Sequence, residues 1–302
     1  MGYVQDQAER LRQLVGQLSP PSSTQNANPE SGYCRVIAVT SGKGGVGKTN
    51  LSVNFALSMA SRGVKVLLFD ADLGLANVDV MLGMMPQFTL QNVLNGQKKL
   101  SEIILEGPEG VRLIASGSGG VQELADLNEA QRTSFLEALM ELQNQSDVIL
   151  IDTGAGLHRN VLAFALAADE VVVITTPEPT ALMDAYGMIK ILHSEKKEPL
   201  ISVVVNMAAN QTEADEAGKK LVILSKRFLN LGIKYLGFVP WDPAMIRAVK
   251  EQKPVLMSAP TSPAASSLSR LAGMILADNQ EGKEIDLMGF LKRVTQMFVK
   301  RT

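Results

Sequence analysis

Residues 42–49 read Gly42-Lys43-Gly44-Gly45-Val46-Gly47-Lys48-Thr49. This stretch matches the phosphate-binding pattern G-x-x-x-x-G-K-[ST] and carries a second lysine inside the loop. Glycines let the backbone turn its N–H groups inward, and the start of the following helix adds its positive dipole end, so such a loop binds an anion before any side chain contributes. The pattern predicts a nucleoside triphosphate as the ligand, held by Gly42, Gly44, Gly45, Val46, Gly47, Lys48, Thr49 and Asn50.

The sequence on both sides of the loop favours this interpretation over a glycine-rich turn with solvated lysines. Arg35–Thr40 is a short apolar run typical of a buried strand, and Thr49–Arg62 has apolar residues at helical spacing. Phosphate loops of this type lie between a strand and a helix, as this one does. We expect Lys48 to reach the β and γ phosphates and the Thr49 hydroxyl to ligate Mg²⁺.

Apolar runs alternate with helical patterns along the rest of the chain. Further strands are predicted at Val64–Phe69, Val111–Ala115, Val148–Ile151, Val171–Thr175, Ile201–Val205 and Tyr235–Val239. Further helices are predicted at Glu129–Gln143, Val161–Ala168, Ala181–His193 and Ala217–Leu229. Strands that are apolar at nearly every position and are separated by helices indicate an α/β fold with a mostly parallel sheet and helices on both faces. We expect this domain to span residues 33–280.

The composition restricts the class of protein. The chain has 302 residues, 46% of them hydrophobic, and can bury a large core. Its formal net charge of −2 argues against a protein that coats nucleic acid, and no direct, specific nucleic-acid binding is expected. Cys34 is the single cysteine, which favours a reducing cytoplasm. The sequence has no signal peptide and no apolar run of about 18 residues, so a cytoplasmic protein is expected.

Polar residues follow four of the predicted strands, at the sheet edge where the phosphate loop lies. They are Asp70 with Asp72, Asp152, Asn206, and Pro240 with Asp242. Ligands of open parallel sheets bind beyond the carboxyl ends of the strands, so these residues are expected to join the loop in one nucleotide site. The alternative roles are helix capping or turn formation for the aspartates and a strand-end turn for Asn206.

The aspartates are expected to divide the chemistry of phosphoryl transfer among them. Asp152 follows an apolar strand, which is typical of a carboxylate that holds Mg²⁺ through water, and Asp70 is expected to support the same ion together with Thr49. Asp72 is the candidate that orients the attacking water. The glycines after Asp152 would let the backbone approach the γ-phosphate and rearrange once it leaves.

In combination these motifs resemble the MinD/ParA family of deviant Walker ATPases. The resemblance rests on Lys43–Thr49, Asp70–Asp79 and Asp152–Gly156, and it covers residues 35–276. It implies a homodimer that encloses two ATP molecules face to face, in which Lys43 reaches the nucleotide of the partner subunit. It also implies a role for each matched position: Lys43, Lys48 and Asp72 in catalysis, Asp152 as the switch II aspartate, and Asn206 in contact with adenine.

The base is expected to be adenine. Guanine-binding proteins of the common type carry Asn-Lys-x-Asp after a strand, whereas Asn206 is followed here by Met207-Ala208-Ala209. ATP is therefore favoured over GTP, with ATP and Mg²⁺ as the expected ligands.

The C-terminal segment, residues 281–302, has the pattern of an in-plane membrane anchor. Around a helix drawn through Ile285–Arg301, cations lie opposite a broad apolar arc, which predicts reversible binding to an anionic membrane surface. The alternative is a last helix packed on the core. An ATP-dependent dimer would present two such helices and so reside at the inner face of the cell membrane. The residues assigned to membrane contact are Leu287, Phe290, Leu291, Lys292, Val294, Met297 and Phe298.

The N-terminal segment, residues 1–32, contains a short charged stretch and then a tether rich in Ser, Pro, Asn and Gln. A disordered tail is one interpretation, and a nascent helix that docks on a partner is the other. The DQAxxLR pattern, made of Asp6, Gln7, Ala8, Leu11 and Arg12, is similar to the activator segment of the FlhG (FleN/YlxH) family, MinD-like ATPases that limit flagellar number. That resemblance implies stimulation of the FlhF GTPase, contact with flagellar switch (C-ring) proteins and, in some bacteria, with a flagellar master transcription activator.

Three alternatives to a flagellar regulator follow from the same fold. Nitrogenase-reductase and iron–sulfur-carrier relatives need bridging cysteines, and the single cysteine excludes them on ligand count. A ParA-type DNA-partitioning protein or a MinD-type division-site ATPase remains an alternative. A scaffold that binds nucleotide without hydrolysing it would show no change in phosphate release on Asp72→Ala. His158 and His193 are assigned no role.

Overall fold

The computed structural model describes residues 34–72, 77–116, 145–196 and 199–278. The N-terminal segment, the predicted helix Glu129–Gln143 and the C-terminal segment with its predicted membrane helix lie outside these residues. Predictions for them therefore stay predictions.

One sheet organises the described residues. Its eight strands are β1 Arg35–Ser41, β2 Val66–Ala71, β3 Leu105–Glu106, β4 Arg112–Ile114, β5 Val148–Ala155, β6 Glu170–Thr175, β7 Leu200–Ala208 and β8 Lys234–Pro240. Their order across the sheet is β3-β4-β2-β5-β1-β6-β7-β8. Neighbours are parallel except β3, which pairs antiparallel with β4 at the edge. The predicted mostly parallel sheet is confirmed, and β3 is the strand that the sequence patterns missed.

Helices lie along both faces of this sheet. They are α1 Lys48–Ala60, α2 Val78–Met81, α3 Leu90–Leu94, α4 Arg159–Ala167, α5 Pro179–Glu195, α6 Gln211–Leu229, α7 Pro243–Lys250, α8 Val255–Ser258 and α9 Pro263–Ala277. Two 3₁₀ turns occupy Leu100–Glu102 and Pro108–Gly110. In the part of the chain that the structure describes, no helix has both the length and the apolar character needed to cross a membrane.

Strict alternation along the central strands divides the core into two layers. In β1, Val36 and Ala38 point into a cluster with Phe164 of α4 and Met188 of α5. Ile37 and Val39 point to the other face, where α1 and α9 pack. Successive side chains of a strand point to opposite faces, so a central strand covered on both sides is buried at every position and apolar along its middle, as Val36–Val39 of β1 are.

Helix α9 is the largest element that periodicity did not predict. Ser262 caps it by accepting a hydrogen bond from the backbone N–H of Ala265 at 3.2 Å. Its buried residues face α1 and β8. Arg35 of β1 donates to the carbonyl of Ile275 at 2.9 Å and pairs with Glu170 at 2.6 Å, so the start of the first strand is tied to the end of this helix. A cation at a helix C-terminus is favourable because the last carbonyls carry partial negative charge.

Candidate nucleotide-binding site

The loop after β1 wraps around a cavity of about 440 Å³ at the carboxyl edge of the sheet. Gly45 and Gly47 have φ values of 80° and 86°, in the left-handed region where a side chain is unfavourable. Gly47 lies directly before α1, so the turn delivers the loop to the helix N-terminus. Backbone N–H groups at a helix start, next to such a turn, are suited to hold phosphate oxygens.

Two glycines of the loop are required by packing as well as by the turn. A Cβ on Gly42 would overlap the backbone carbonyl of Asp184 in α5. A Cβ on Gly47 would overlap the side-chain amide of Asn206 at the end of β7. The loop is therefore held between α5 and the end of β7, which fixes its shape before a ligand arrives.

Lys48, which lines the cavity, forms a buried ion pair with Asp152. The Lys48 Nζ lies 3.1 Å from Oδ1 of Asp152, and the two side chains are 6% and 0% exposed. The Ser52 hydroxyl donates to the same Oδ1 at 2.8 Å. Ser52 was not predicted, although a serine one helical turn after the loop lysine lies on the same face of α1.

Asp152 has a second carboxylate directly beside it. Asp70 of β2 pairs with Asp152 of β5 in the strand register, and both side chains are fully buried. Burial, followed by the negative charge of Asp152, raises the pKa of Asp70 to about 7. The backbone N–H groups of Asp72 and Asn77 donate to Asp70 at 3.0 and 3.4 Å and partly offset this shift.

The residues present fit Mg²⁺. Oδ2 of Asp152 is buried and has no hydrogen-bond partner among the described residues. An oxygen atom of this kind, next to a second buried carboxyl group, is suited to a hard cation or to a water bound to one. Asp152 and Thr49, which lines the cavity, are the residues that would hold the ion.

The raised pKa of Asp70 predicts a pH-dependent stability. Its ordinary pKa of 3.8 applies in the unfolded chain, whereas the folded value is about 7, so the unfolded chain releases this proton first. The contribution of Asp70 to the free energy of unfolding is therefore complete below the pKa of the unfolded chain, and it is lost as pH rises through the pKa of the folded protein. We expect the free energy of unfolding without Mg²⁺ or nucleotide to fall by a few kcal/mol, at up to about 1.4 kcal/mol per pH unit.

This prediction is checked by denaturant titration in a chelator from about pH 5 to about pH 8. Asp70→Asn should flatten the decline because it removes the titrating group. Glu216→Gln, at an exposed position on α6, is the matched control and should leave the wild-type slope unchanged. A slope in Asp70→Asn equal to that of the wild type would contradict the assignment.

Asp72 lies at the wall of the cavity, as its predicted role requires. It follows the end of β2, and its Oδ1 lies 3.5 Å from where a Cβ on Gly154 would stand. The carboxylate is therefore next to the backbone of the segment that follows Asp152. The residues after it, 73–76, are outside the described part of the chain.

Lys43 lies at the mouth of the cavity and is bound to the start of α5. Its Nζ donates to Oε2 of Glu178 at 3.0 Å and to the Thr180 hydroxyl at 3.1 Å. The Lys43 side chain is 40% exposed, and that of Glu178 is 66% exposed. Exposed pairs of this kind contribute little to stability, so the lysine can leave its partners at low cost. Its action across a dimer interface stays a prediction.

Three residues assigned to nucleotide contact lie behind the cavity or away from it. Asn206 is buried, and its Nδ2 donates to the carbonyl of Val46 at 2.8 Å, so it supports the loop. Asp242 uses Oδ1 to cap α7 through Ala244 N at 2.8 Å and Oδ2 to bind Ala264 N at 3.0 Å. Both oxygens of Asp242 thus accept hydrogen bonds from backbone N–H groups, so the residue supports α7 and the start of α9 in this structure, and its contact with nucleotide stays a prediction. Pro240 ends β8 and does not line the cavity.

Four apolar side chains that the sequence did not single out also line the cavity. Met207, Val249, Val80 and Met81 line it. Met207 has a φ of 58°, unusual for a residue with a side chain, and its thioether end lies 3.4 Å from where a Cβ on Gly47 would stand. Apolar lining of this kind suits a nucleobase, whose faces are apolar while its edges are polar.

A second cavity, of about 270 Å³, lies at the opposite ends of β6, β7 and β8. Two charged residues that line it form an ion pair, with Nζ of Lys234 2.7 Å from Oδ2 of Asp278. This cavity offers no glycine loop and no helix start. The carboxyl edge of the sheet is therefore the site that the described residues build for phosphate.

Comparison with known proteins agrees with this geometry. The family model described as ParA, NUBPL iron-transfer P-loop NTPase, matches residues 33–276. The chain is 41% identical to antiactivator FleN of Pseudomonas aeruginosa over 79% of this chain and 85% of FleN. It is 36% identical to the flagellum site-determining protein YlxH of Helicobacter pylori, over 96% of this chain and 98% of YlxH. The septum site-determining protein MinD of Pyrococcus horikoshii, complexed with Mg-ADP, has the same fold with a TM-score of 0.67 and 26% identity, over 84% of this chain and 99% of that one.

The description of the family model mentions iron transfer, but this chain lacks the set of cysteines that an iron–sulfur cluster needs. Cys34 is the single cysteine, and it is fully buried before β1. Burial, together with the negative charges of Asp169 and Asp147, raises the pKa of its thiol to about 12, so it stays protonated. An iron–sulfur cluster requires several accessible thiolates. We assign no iron chemistry to this chain.

Proposed function

The chain belongs to the ParA/MinD family of P-loop NTPases, and on this premise we propose that it is an Mg²⁺-dependent ATPase that dimerises around ATP, associates with the membrane and regulates flagellar number or placement. The observation that carries the proposal is the pairing of a buried lysine and aspartate, Lys48 and Asp152, beneath a glycine loop that has a second lysine at its mouth. The flagellar assignment is supported by FleN and YlxH, which this chain matches over most of its length.

The proposed chemistry follows from the positions of the side chains. Backbone N–H groups of the loop and the start of α1 bind the phosphates, and Lys48 moves from Asp152 to the terminal phosphates. Mg²⁺, held by Thr49 and Asp152, would neutralise charge on the phosphate oxygens. Asp72, at the wall of the cavity, orients the water that attacks the γ-phosphate.

Lys43 connects hydrolysis to dimerisation in this proposal. In the single chain its ammonium group is bound to Glu178 and Thr180. In a face-to-face dimer it would leave them for the phosphates of the partner's ATP. A cation supplied by the other subunit neutralises phosphate charge only while the dimer is closed, so the dimer forms with ATP and opens after hydrolysis.

The terminal segments are proposed to bind the membrane and the partner proteins. Residues 281–302 would bind an anionic membrane, with two copies acting together in the ATP dimer. Residues 1–32, with the DQAxxLR pattern, would stimulate the FlhF GTPase, and flagellar switch proteins would bind the same regulator. Support for these partners comes from the resemblance of the pattern to the FlhG family and from the FleN and YlxH relatives.

Vesicle co-sedimentation tests the proposal. We expect full-length protein to bind anionic vesicles with ATP about 10²-fold more than with ADP or without nucleotide, because a dimer presents two helices at once. A chain truncated after residue 280 should stay in the supernatant under all conditions while still hydrolysing ATP. Equal binding with ATP and ADP would contradict nucleotide control, and salt-sensitive binding to generic duplex DNA without vesicle binding would favour a partitioning protein instead.

A further inference from the structure

Ser52 lies one turn into α1 and is fully buried against the carboxylate of Asp152. We infer that Ser52 is a positioning residue, which keeps Asp152 in its orientation when Lys48 transfers from Asp152 to the phosphates of bound ATP. The inference rests on the proposed ATPase function and deepens it, because it names a residue on which the lysine transfer depends.

The Ser52 hydroxyl has two acceptors within reach and one proton to donate. Its oxygen lies 2.8 Å from Oδ1 of Asp152 and 3.1 Å from the backbone carbonyl of Lys48. A hydroxyl donates one hydrogen bond at a time, and an ionised carboxylate is a stronger acceptor than a carbonyl. The proton is therefore directed to Asp152, and the Lys48 carbonyl, already within the helix, is the minor alternative.

Lys48 and Ser52 bind the same carboxylate oxygen, Oδ1 of Asp152. When Lys48 moves to the phosphates, Ser52 becomes the side-chain donor that remains on Asp152 among the described residues. Asp70 lies beside Asp152 in the neighbouring strand and places a second carboxyl group next to it. Without any donor, the buried carboxylate of Asp152 would be unfavourable, and its side chain would be free to rotate.

The orientation matters because of the other oxygen. With Oδ1 bound to Ser52, Oδ2 of Asp152 is the oxygen that has no partner among the described residues and that is available to Mg²⁺ or its water. Without the hydroxyl, Lys48 is the remaining side-chain donor to Oδ1 of Asp152 among the described residues, so leaving Asp152 costs more free energy. The movement of Lys48 to the phosphates of ATP is then opposed. Loss of Ser52 should thus raise the Mg²⁺ requirement and slow hydrolysis together.

The test compares Ser52→Ala and Ser52→Thr with the matched control Ser58→Ala. Ser58 lies on the same helix, is buried, and bonds Arg62 and Ser269 away from the cavity. The readouts are ATP hydrolysis, binding of a fluorescent ATP analogue as Mg²⁺ is titrated, and thermal unfolding. A hydrogen bond to a charged group accounts for about tenfold or more in an equilibrium, so Ser52→Ala should raise the half-saturating Mg²⁺ concentration and lower kcat by about tenfold each.

Ser52→Thr, which retains the hydroxyl, should recover most of both losses, and Ser58→Ala should retain wild-type values. Wild-type Mg²⁺ dependence and kcat in Ser52→Ala would overturn the inference and leave the ATPase proposal intact. Equal losses in Ser52→Ala and Ser58→Ala, tracking lower melting temperatures, would also overturn it by showing a purely structural role. Failure of the wild-type chain to bind or hydrolyse ATP would overturn both proposals, so the failures are distinguishable.

Discussion

Asp72→Ala should lower the rate of ATP hydrolysis about 10²- to 10⁴-fold, which is the usual contribution of a general base or water-orienting group. Affinity for ATP should stay near the wild-type value, because the loop, Lys48 and Asp152 bind the phosphates and the substitution leaves them in place. The dimer should then accumulate in ATP, since hydrolysis is the step that opens it. Phosphate release and sedimentation velocity measure the two effects on the same protein.

Asp72→Asn tests whether the carboxylate charge or only its shape is needed, and we expect a loss similar to that of alanine. Glu216→Gln on α6 serves as the surface control and should hydrolyse ATP at the wild-type rate. Phosphate release by Asp72→Ala at the wild-type rate would remove Asp72 from the mechanism. In that case the chain would either use another group to orient water or act as a nucleotide-binding scaffold.

Lys43→Ala should leave ATP binding by the single chain nearly unchanged and weaken the ATP-dependent dimer about 10³-fold or more. Truncating one partner of a buried interfacial charge pair costs at least about 2 kcal/mol, and the dimer would contain this contact twice. Little is lost within the single chain, because the Lys43 contacts with Glu178 and Thr180 are exposed. Sedimentation velocity in ATP and fluorescent-nucleotide titration separate the two effects.

Lys98→Ala is the matched control for Lys43→Ala. Lys98 also forms an exposed ion pair, with Glu102 at 3.0 Å, but it lies away from the cavity. The Lys98→Ala protein should form the ATP-dependent dimer as the wild type does. An unchanged dimer in Lys43→Ala would refute the action of Lys43 across the interface, whereas lost ATP binding would place Lys43 on the nucleotide of its own subunit.

The parallel α/β fold and the phosphate loop were predictable because each depends on signals a few residues long. The first parts of β1 and β5, Val36–Val39 and Val148–Ile151, are apolar at successive buried positions, which identifies strands covered on both faces. Gly45 and Gly47 have the positive φ values that the loop pattern requires. The placement of Asp70, Asp72 and Asp152 at the carboxyl ends of strands followed from the same rule, since ligands bind at that edge of such a sheet.

Helix α9 and the role of Asp242 were not predictable in this way. The buried residues of α9 include several alanines, and the helix packs on α1 and β8, so its stability depends on partners distant in the sequence. Asp242 follows a strand, as a site residue would, yet its carboxylate caps α7 and binds the N–H of Ala264. A helix cap and a ligand contact use the same residue type, and sequence position does not distinguish them.

The proposed class of ligand and the edge of the sheet where the cavity lies therefore follow from local chemistry: glycines that permit a tight turn, a lysine beside them, and carboxylates at strand ends. The roles of the individual residues within the site follow from contacts between residues far apart in the chain. Lys48 and Ser52 meet Asp152 from another element, Asn206 supports the loop, and Lys43 rests on α5. Such contacts depend on how strands and helices pack, which no window of neighbouring residues contains.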